Sequence, residues 1–347
     1  MVIDLRSDFI ARPTQAMVEA MSLAAEIPGG FGPREDPTVM RLEALAAKTL
    51  GKPDALFVPT CMMANQIAIH LRCRPGDAFL TEAEAHVVTS ESAAASALSG
   101  AMPRLLAATN GALDPDAVAA ALGPADAQRA RVGLILQENT HVRSGGRVIP
   151  YQHMQNVSQI ARAGGVPVHL DGARVFNAAT ALGRPACDLA ALADTVSFNL
   201  NKGLGAPLGA ILAGPAELIA EAVRVRQMFG GGWRPAGIPA AAGIVALETM
   251  IDRMSEDHAN ARGLSEGLAE IDGLSVDPGA TETNIVLARP TGTSSEVLAE
   301  ALAERGVLVL PFGPCIRLVT HHEITEDAVA ETLAVFRSVL TGEKNGS

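Results

Sequence analysis

Apolar side chains recur along this chain in two alternating rhythms, one with the spacing of strands and one with that of helices. Residues 14–25 and 38–50 carry helical spacing, and Asp36-Pro37 in front of the second is a helix start signal. Residues 55–59 read as a short strand, and 62–72 (MMANQIAIHLR) as a helix stopped by Arg74-Pro75-Gly76-Asp77. A strand near 78–80, a helix near 89–99 and a strand near 104–107 follow. The run VGLILQE at 132–138 is apolar almost throughout, as expected of a parallel strand covered on both faces. A helix at 151–163, a strand at 166–170, a short helix at 188–192 and strands at 195–200 and 210–213 complete this part.

Strands separated by helices imply right-handed crossovers and a mostly parallel α/β sheet. The pattern changes near 230–250. After Gly230-Gly231-Gly232 and Pro235, residues 238–270 read as one long helix or a broken pair. Beyond them lie a strand at 283–288, a helix at 294–305, strands at 306–310 and 315–319, and a helix at 326–340, with Ser294 and Thr325 as N-caps. The expected division is a large unit over 1–245, including an N-terminal segment 1–20, and a small α+β unit over 246–347. A chain of 347 residues is long enough to need both.

Composition narrows the function. The 27 basic against 38 acidic residues give a net charge of −11, with no basic stripe to replace the counterions of a nucleic acid. The four cysteines lie far apart and no Cys/His cluster has metal-ligand spacing, so reduced thiols in a cytoplasm, and no metal site, are expected. The start Met1-Val2-Ile3-Asp4-Leu5-Arg6-Ser7-Asp8 is charged where a signal peptide needs an apolar core, and no apolar run has transmembrane length. One Tyr, one Trp and nine Phe make the chain poor in aromatics.

Two strand ends carry candidate chemistry. Val168-His169-Leu170-Asp171-Gly172-Ala173-Arg174 closes a strand on an acid, where open α/β sheets bind ligands, although an acid there also caps helices. Farther on, Asn199-Leu200-Asn201-Lys202-Gly203-Leu204-Gly205 puts a lysine at the end of a buried strand, either as a surface side chain or as a Schiff-base lysine. Together Asp171 and Lys202 match the needs of pyridoxal phosphate: a carboxylate for the pyridine nitrogen and an amine for the aldehyde. A dinucleotide loop is a poor alternative, because Gly203, Gly205 and Gly209 are spaced GxGxxxG and no helix opens on the last.

The chain resembles the low-specificity threonine aldolases of the pyridoxal-phosphate, fold-type-I β-eliminating lyase group. The resemblance is carried by Asp4–Asp8 with Arg12-Pro13-Thr14, Asp36-Pro37-Thr38, Met63-Ala64-Asn65-Gln66, Glu138-Asn139-Thr140-His141, His169–Ala178, Lys202–Pro207, Gly230–Gly232 and Ile316–His321. It implies a seven-stranded, mostly parallel sheet and a smaller C-terminal unit. It implies cleavage of β-hydroxy-α-amino acids to glycine and an aldehyde, in a homodimer or homotetramer with shared sites. It also implies roles: Lys202 for the Schiff base, Asp171 for the ring nitrogen, and His86 stacked on the ring as a catalytic group. Ser7, Arg174 and Arg317 fall to the substrate carboxylate. Arg234 falls near the cofactor phosphate, in reach of a neighbouring subunit's site.

Several positions depart from that group. The phosphate turn reads Pro59-Thr60-Cys61-Met62-Met63, so Cys61 and Met62 replace a glycine and a threonine while Thr60 keeps its hydroxyl. Gly30-Phe31-Gly32-Pro33-Arg34-Glu35 lacks the group's tyrosine, whose position falls near Pro33. Gln128 stands where a second histidine is expected, and Phe9 adds a ring beside the entrance segment. Tyr151, after Pro150, has the setting of a structural residue. These changes leave open a different amino-acid lyase reaction, a racemase, or a homologue without catalysis.

Overall fold

The computed structural model describes residues 2–123 and 127–341. After β1 (Ile3–Asp4), α1 (Gln15–Ala24) and α2 (Pro37–Leu50) lead into β2 (Asp54–Val58). Helix α2 begins where Asp36 Oδ1 accepts the Thr38 and Val39 N–H groups, with Pro37 in its first turn. Then come α3 (Cys61–Arg72), β3 (Ala78–Glu82), α4 (His86–Thr89), α5 (Ala94–Ser99), β4 (Met102–Leu106), the two-residue hairpin β5 (Ala108–Thr109) and β6 (Ala112–Leu113), and α6 (Pro115–Ala121). Next are β7 (Val132–Glu138), α7 (Tyr151–Ala163), β8 (Val168–Asp171), α8 (Val175–Leu182), α9 (Ala186–Ala190), β9 (Thr195–Asn199), β10 (Ala210–Gly214) and α10 (Ala216–Met228).

The main sheet has the order β2-β10-β9-β8-β7-β3-β4. Within it β10 alone runs against its neighbours, and the other four pairings are parallel. Strand side chains alternate between two buried faces. Leu56, Val58, Ala210 and Leu212 pack with α3 and α10, while Ala55, Phe57, Ile211 and Ala213 join the larger core with α2, α8 and α11 (Gly237–Thr249).

The smaller unit follows α12 (Met254–Ala269): β11 (Leu274–Val276), β12 (Ile285–Pro290), α13 (Ser295–Ala303), β13 (Val307–Leu308), β14 (Leu310–Phe312), β15 (Cys315–Val319) and α14 (Glu326–Thr341). Its antiparallel sheet has the order β11-β12-β15-β14. Strand β1 pairs in parallel with β13, Ile3 opposite Val307, and Ile3 and Leu5 sit in this second core beside Leu298, Leu318 and Phe336. The first core continues along α11 to Met254, so the division expected at 245/246 falls inside α11.

Helical spacing over 89–99 resolves into two short helices, because Ser92 and Ala93 take left-handed φ values of 52° and 56° between α4 and α5. Residues 238–270 form a pair, α11 and α12, and not one helix. The sequence pattern does not predict helix α8, a short helix most of whose residues are buried. Tyr151 opens α7 after Pro150 and lies beneath the Arg184 guanidinium at 4.1 Å, away from the pocket described below.

The β9–β10 link carries Lys202, and Gly209 fixes its return into the sheet. Gly209 has φ +105°, and a Cβ there would stand 2.4 Å from the buried ring of Phe57. Gly209→Ala is therefore expected to lower the unfolding free energy by about 2–4 kcal/mol, read from urea denaturation.

Candidate active site

Glu138 of β7, Asp171 of β8 and Ser197 of β9 share one rung of the ladder, so their side chains leave the sheet on one face. At this carboxyl end of the sheet lies a cavity of about 480 Å³. Ser7, Thr60, Cys61, Met62, His86, Asp171, Arg174, Lys202 and Arg317 all line it. Arg234, on the loop after α10, does not: it turns to the Phe31 carbonyl between α1 and α2.

Asp171 is buried, and each of its oxygens has a partner. Oδ2 accepts from Asn65 Nδ2 at 2.7 Å, and Oδ1 accepts from Ala173 N at 3.1 Å and faces the Cys61 thiol at 3.9 Å. Burial and the Asp171 charge push the Cys61 thiol well above its ordinary range, so it behaves as a neutral donor. Lys202 is half-buried, and Nζ makes no hydrogen bond among the described residues. Burial and then the Arg174 charge hold its ammonium below the usual lysine range, against the pull of Asp8, Cys61 and Asp171. A lysine so placed has more of the free amine that attacks a carbonyl.

Thr60 caps α3: its Oγ1 accepts from Met63 N at 3.1 Å, which leaves the hydroxyl proton to donate into the cavity that Thr60 lines. The backbone N–H groups of Cys61 and Met62, at the first turn of the same helix, have no intrahelical partner and suit an anion.

The opposite wall is cationic. Arg174 forks onto Asp8, Nε to Oδ2 and Nη2 to Oδ1, both at 2.7 Å, and both side chains are buried. Asn284 Nδ2 also reaches Asp8 at 3.2 Å. Burial would raise the Asp8 carboxyl, but the Arg174 guanidinium outweighs it and brings it down to about 2. Arg317 lies 5.3 Å from the Phe312 ring centroid, donates Nη2 to the Arg6 carbonyl, and leaves its buried Nε without a partner. Burial and Arg174 lower it to about 10. With one face of Arg174 held by Asp8, Arg174 Nη1 and Arg317 Nε are left for a carboxylate, beside the Ser7 hydroxyl, which makes a long 3.4 Å bond to Asp8 Oδ1.

His86 closes the pocket from α4. Its ring Nδ1 meets Glu91 Oε1 at 2.9 Å, and its backbone N–H donates to Glu138 Oε2 at 2.6 Å. Burial disfavours the imidazolium, but the Glu91 hydrogen bond and the Asp171 and Glu91 charges prevail, raising it above the ordinary histidine value. Glu138 is itself raised by burial and by neighbouring Asp171. Ligand-capable atoms of His86, Glu91 and Asp171 fall within 4.8 Å of one another. Asn65 Nδ2, however, donates to both carboxylates, so the group is already joined by hydrogen bonds.

Gln128 is exposed in the turn before β7, at the far end of that strand from Glu138, so within one chain it does not take the place of a substrate-contacting histidine. Pro33 is also outside the cavity, its carbonyl accepting from Arg226. Asp8, Asn65 and Glu138 stand inside the sequence motifs, but their roles depend on distant partners: Asp8 meets Arg174 across 166 positions. Glu91, amid Ser and Ala residues, carries no sequence signal.

A family model described as beta-eliminating lyase matches residues 4–291. The chain is 37% identical over 340 residues to the low specificity L-threonine aldolase of Escherichia coli, covering 98% of this chain and 99% of that protein. It is 38% identical over 347 residues to low-specificity L-threonine aldolase 1 of Arabidopsis thaliana, covering 97% and 96%. A solved threonine aldolase from Leishmania major superposes with a TM-score of 0.83 at 20% identity, over 97% of this chain and 99% of that one, a likeness of fold.

Proposed function

The chain belongs to the β-eliminating lyase family, and on that premise we propose that it is a pyridoxal-phosphate enzyme cleaving β-hydroxy-α-amino acids to glycine and an aldehyde. The observation that carries this reading is the placement of Lys202 and Asp171 in one pocket, facing Arg174 and Arg317.

The residues fit the cofactor. Lys202 offers an amine with lowered proton affinity, Asp171 a carboxylate for the ring nitrogen, and the start of α3 two unbonded N–H groups, at Cys61 and Met62, for the phosphate. The buried Thr140 hydroxyl, on a residue that also lines the cavity, has no partner of its own among the described residues. When bound, pyridoxal phosphate supplies the electron sink for the carbanion left as the Cα–Cβ bond breaks.

Arg174, Arg317 and Ser7 hold the substrate carboxylate, with Asp8 fixing the Arg174 fork so that its free nitrogen keeps one direction. That anchor sets which bond at Cα stands ready to break. His86 takes the proton of the substrate hydroxyl as the aldehyde forms; its ring lines the cavity and Glu91 holds its Nδ1.

In the same reading residues 1–245 form the cofactor-binding unit and 246–347 the smaller one. The enzyme is a cytoplasmic homo-oligomer in which Arg234 serves a neighbouring copy. Three things support this: Arg234 lies outside its own chain's cavity, the four cysteines are free, and no helix among the described residues is long and apolar enough to cross a membrane.

The test is product analysis with L-threonine, L-allo-threonine and phenylserine. Equal amounts of glycine and aldehyde are expected; a 2-oxo acid with ammonia and no glycine would replace this reaction by β-elimination.

A further inference from the structure

Glu91 is almost fully buried, and every side chain that meets its carboxylate is a donor: Asn65 Nδ2 at 2.9 Å, Gln66 Nε2 at 2.7 Å and His86 Nδ1 at 2.9 Å. The Asn65 amide has one possible orientation, because both neighbours of its NH2 are carboxylates, Glu91 and Asp171. Its carbonyl accepts from Ser197 Oγ at 2.7 Å and from His169 Nε2 at 3.0 Å. His169 is therefore protonated at Nε2 and accepts from Thr195 Oγ1 at Nδ1, and burial holds it neutral, down to about 4. Within this chain of bonds the Asn65 amide and the His169 ring are each held at both ends. The backbone that delivers Glu91 is itself unusual, since Ser92 and Ala93, the next two residues, both lie in the left-handed region.

We propose that Glu91 is the positioning residue of this pocket: it fixes His86 as the Nδ1–H tautomer, leaves Nε2 as the atom that takes the substrate's proton, and through Asn65 holds the ring in register with Asp171. The proton-accepting role rests on the aldol reading above; the tautomer does not. His86 Nε2 has no partner among the described residues and its ring lines the cavity. The charged groups around His86 are Glu91 from the α4–α5 link, Glu138 at the end of β7, Asp171 at the end of β8 and Lys202 from the β9–β10 link. Helix α3 adds the neutral Asn65 and Gln66 and the Cys61 thiol. Of these acids, Glu91 is the one bonded to the ring itself.

The experiment is long-range 1H–15N NMR of the histidine-labelled holoenzyme, with His86 assigned by its loss in His86→Asn, beside the pH profile of kcat/KM. Above its midpoint His86 should be the Nδ1–H tautomer. Glu91→Gln should lower that midpoint by about one unit, because a neighbouring negative charge is lost. The acid limb of kcat/KM should move down with it. The substitution keeps volume, and Gln66 Oε1, buried without a partner, can turn to accept the new amide. An unchanged midpoint in E91Q overturns the proposal. So does an Nε2–H tautomer in the unmodified protein, which decides the matter even if E91Q does not fold. Failure to form glycine while the tautomer and its shift persist overturns the aldol reaction and leaves the Glu91 assignment standing.

Discussion

Lys202→Ala should reduce turnover by about a thousandfold or more and abolish the near-visible absorption band of the bound cofactor. The pocket offers no substitute amine. Among the described residues the other cations lining the cavity are Arg143, Arg174 and Arg317, and guanidinium groups do not become nucleophilic amines near neutral pH. Borohydride treatment followed by peptide mapping should place the pyridoxyl label on Lys202 in the unmodified protein and nowhere in K202A. A surviving band with the label elsewhere would remove Lys202 from its assigned role.

Asp8→Ala should be the most destabilising change in the site, by about 3–5 kcal/mol in chemical denaturation, with a raised KM for the amino acid. The substitution strips a buried guanidinium of its carboxylate, and an unpaired buried charge costs far more than the pair contributes. The same pair sets an acid limit. Asp8 is lowered to about 2 in the folded protein, below its unfolded value near 3.8, so its contribution is complete above about pH 4. It is lost as the pH falls from about 4 toward 2 and amounts to about 2 kcal/mol. The D8A protein should show a flatter loss of stability across that window; an equally steep one would assign acid lability elsewhere.

Much of the frame is legible in the sequence because local pattern and tertiary setting agree there. Residues 132–138 and 151–163 have the predicted bounds, since a doubly covered strand must be apolar throughout and a surface helix must carry a stripe. Asp171 and Lys202 stand out because charge at the end of a buried strand is uncommon. The rest depends on contacts that no local window contains. The spacing over 89–99 favours one helix, yet the α4–α5 break, made without a glycine, is what turns Glu91 inward. The cap that Thr60 makes is missed in sequence because its partner is a backbone N–H three residues on. Arg234 follows its family motif but meets Phe31 in this chain, where no pattern links the two.

Strand β1 gives the molecule an order of assembly. Ile3 lies far along the sequence from its partner Val307, and Leu5 N bonds the Leu308 carbonyl. Everything between β1 and β13 must be made before this strand can be seated, and closing so long a loop is slow. Until then a nascent chain can hold β7, β8 and β9, with Asp171 and Lys202 at their ends, but it lacks Arg317 and the Asn284 that steadies Asp8. Lys202 precedes Arg317 in sequence, so a partly made chain holds Arg174 without the second arginine of the proposed carboxylate clamp. On the assignment proposed for Arg317, competence waits until Asn284 and Arg317 have been made, a delay that separates synthesis from chemistry.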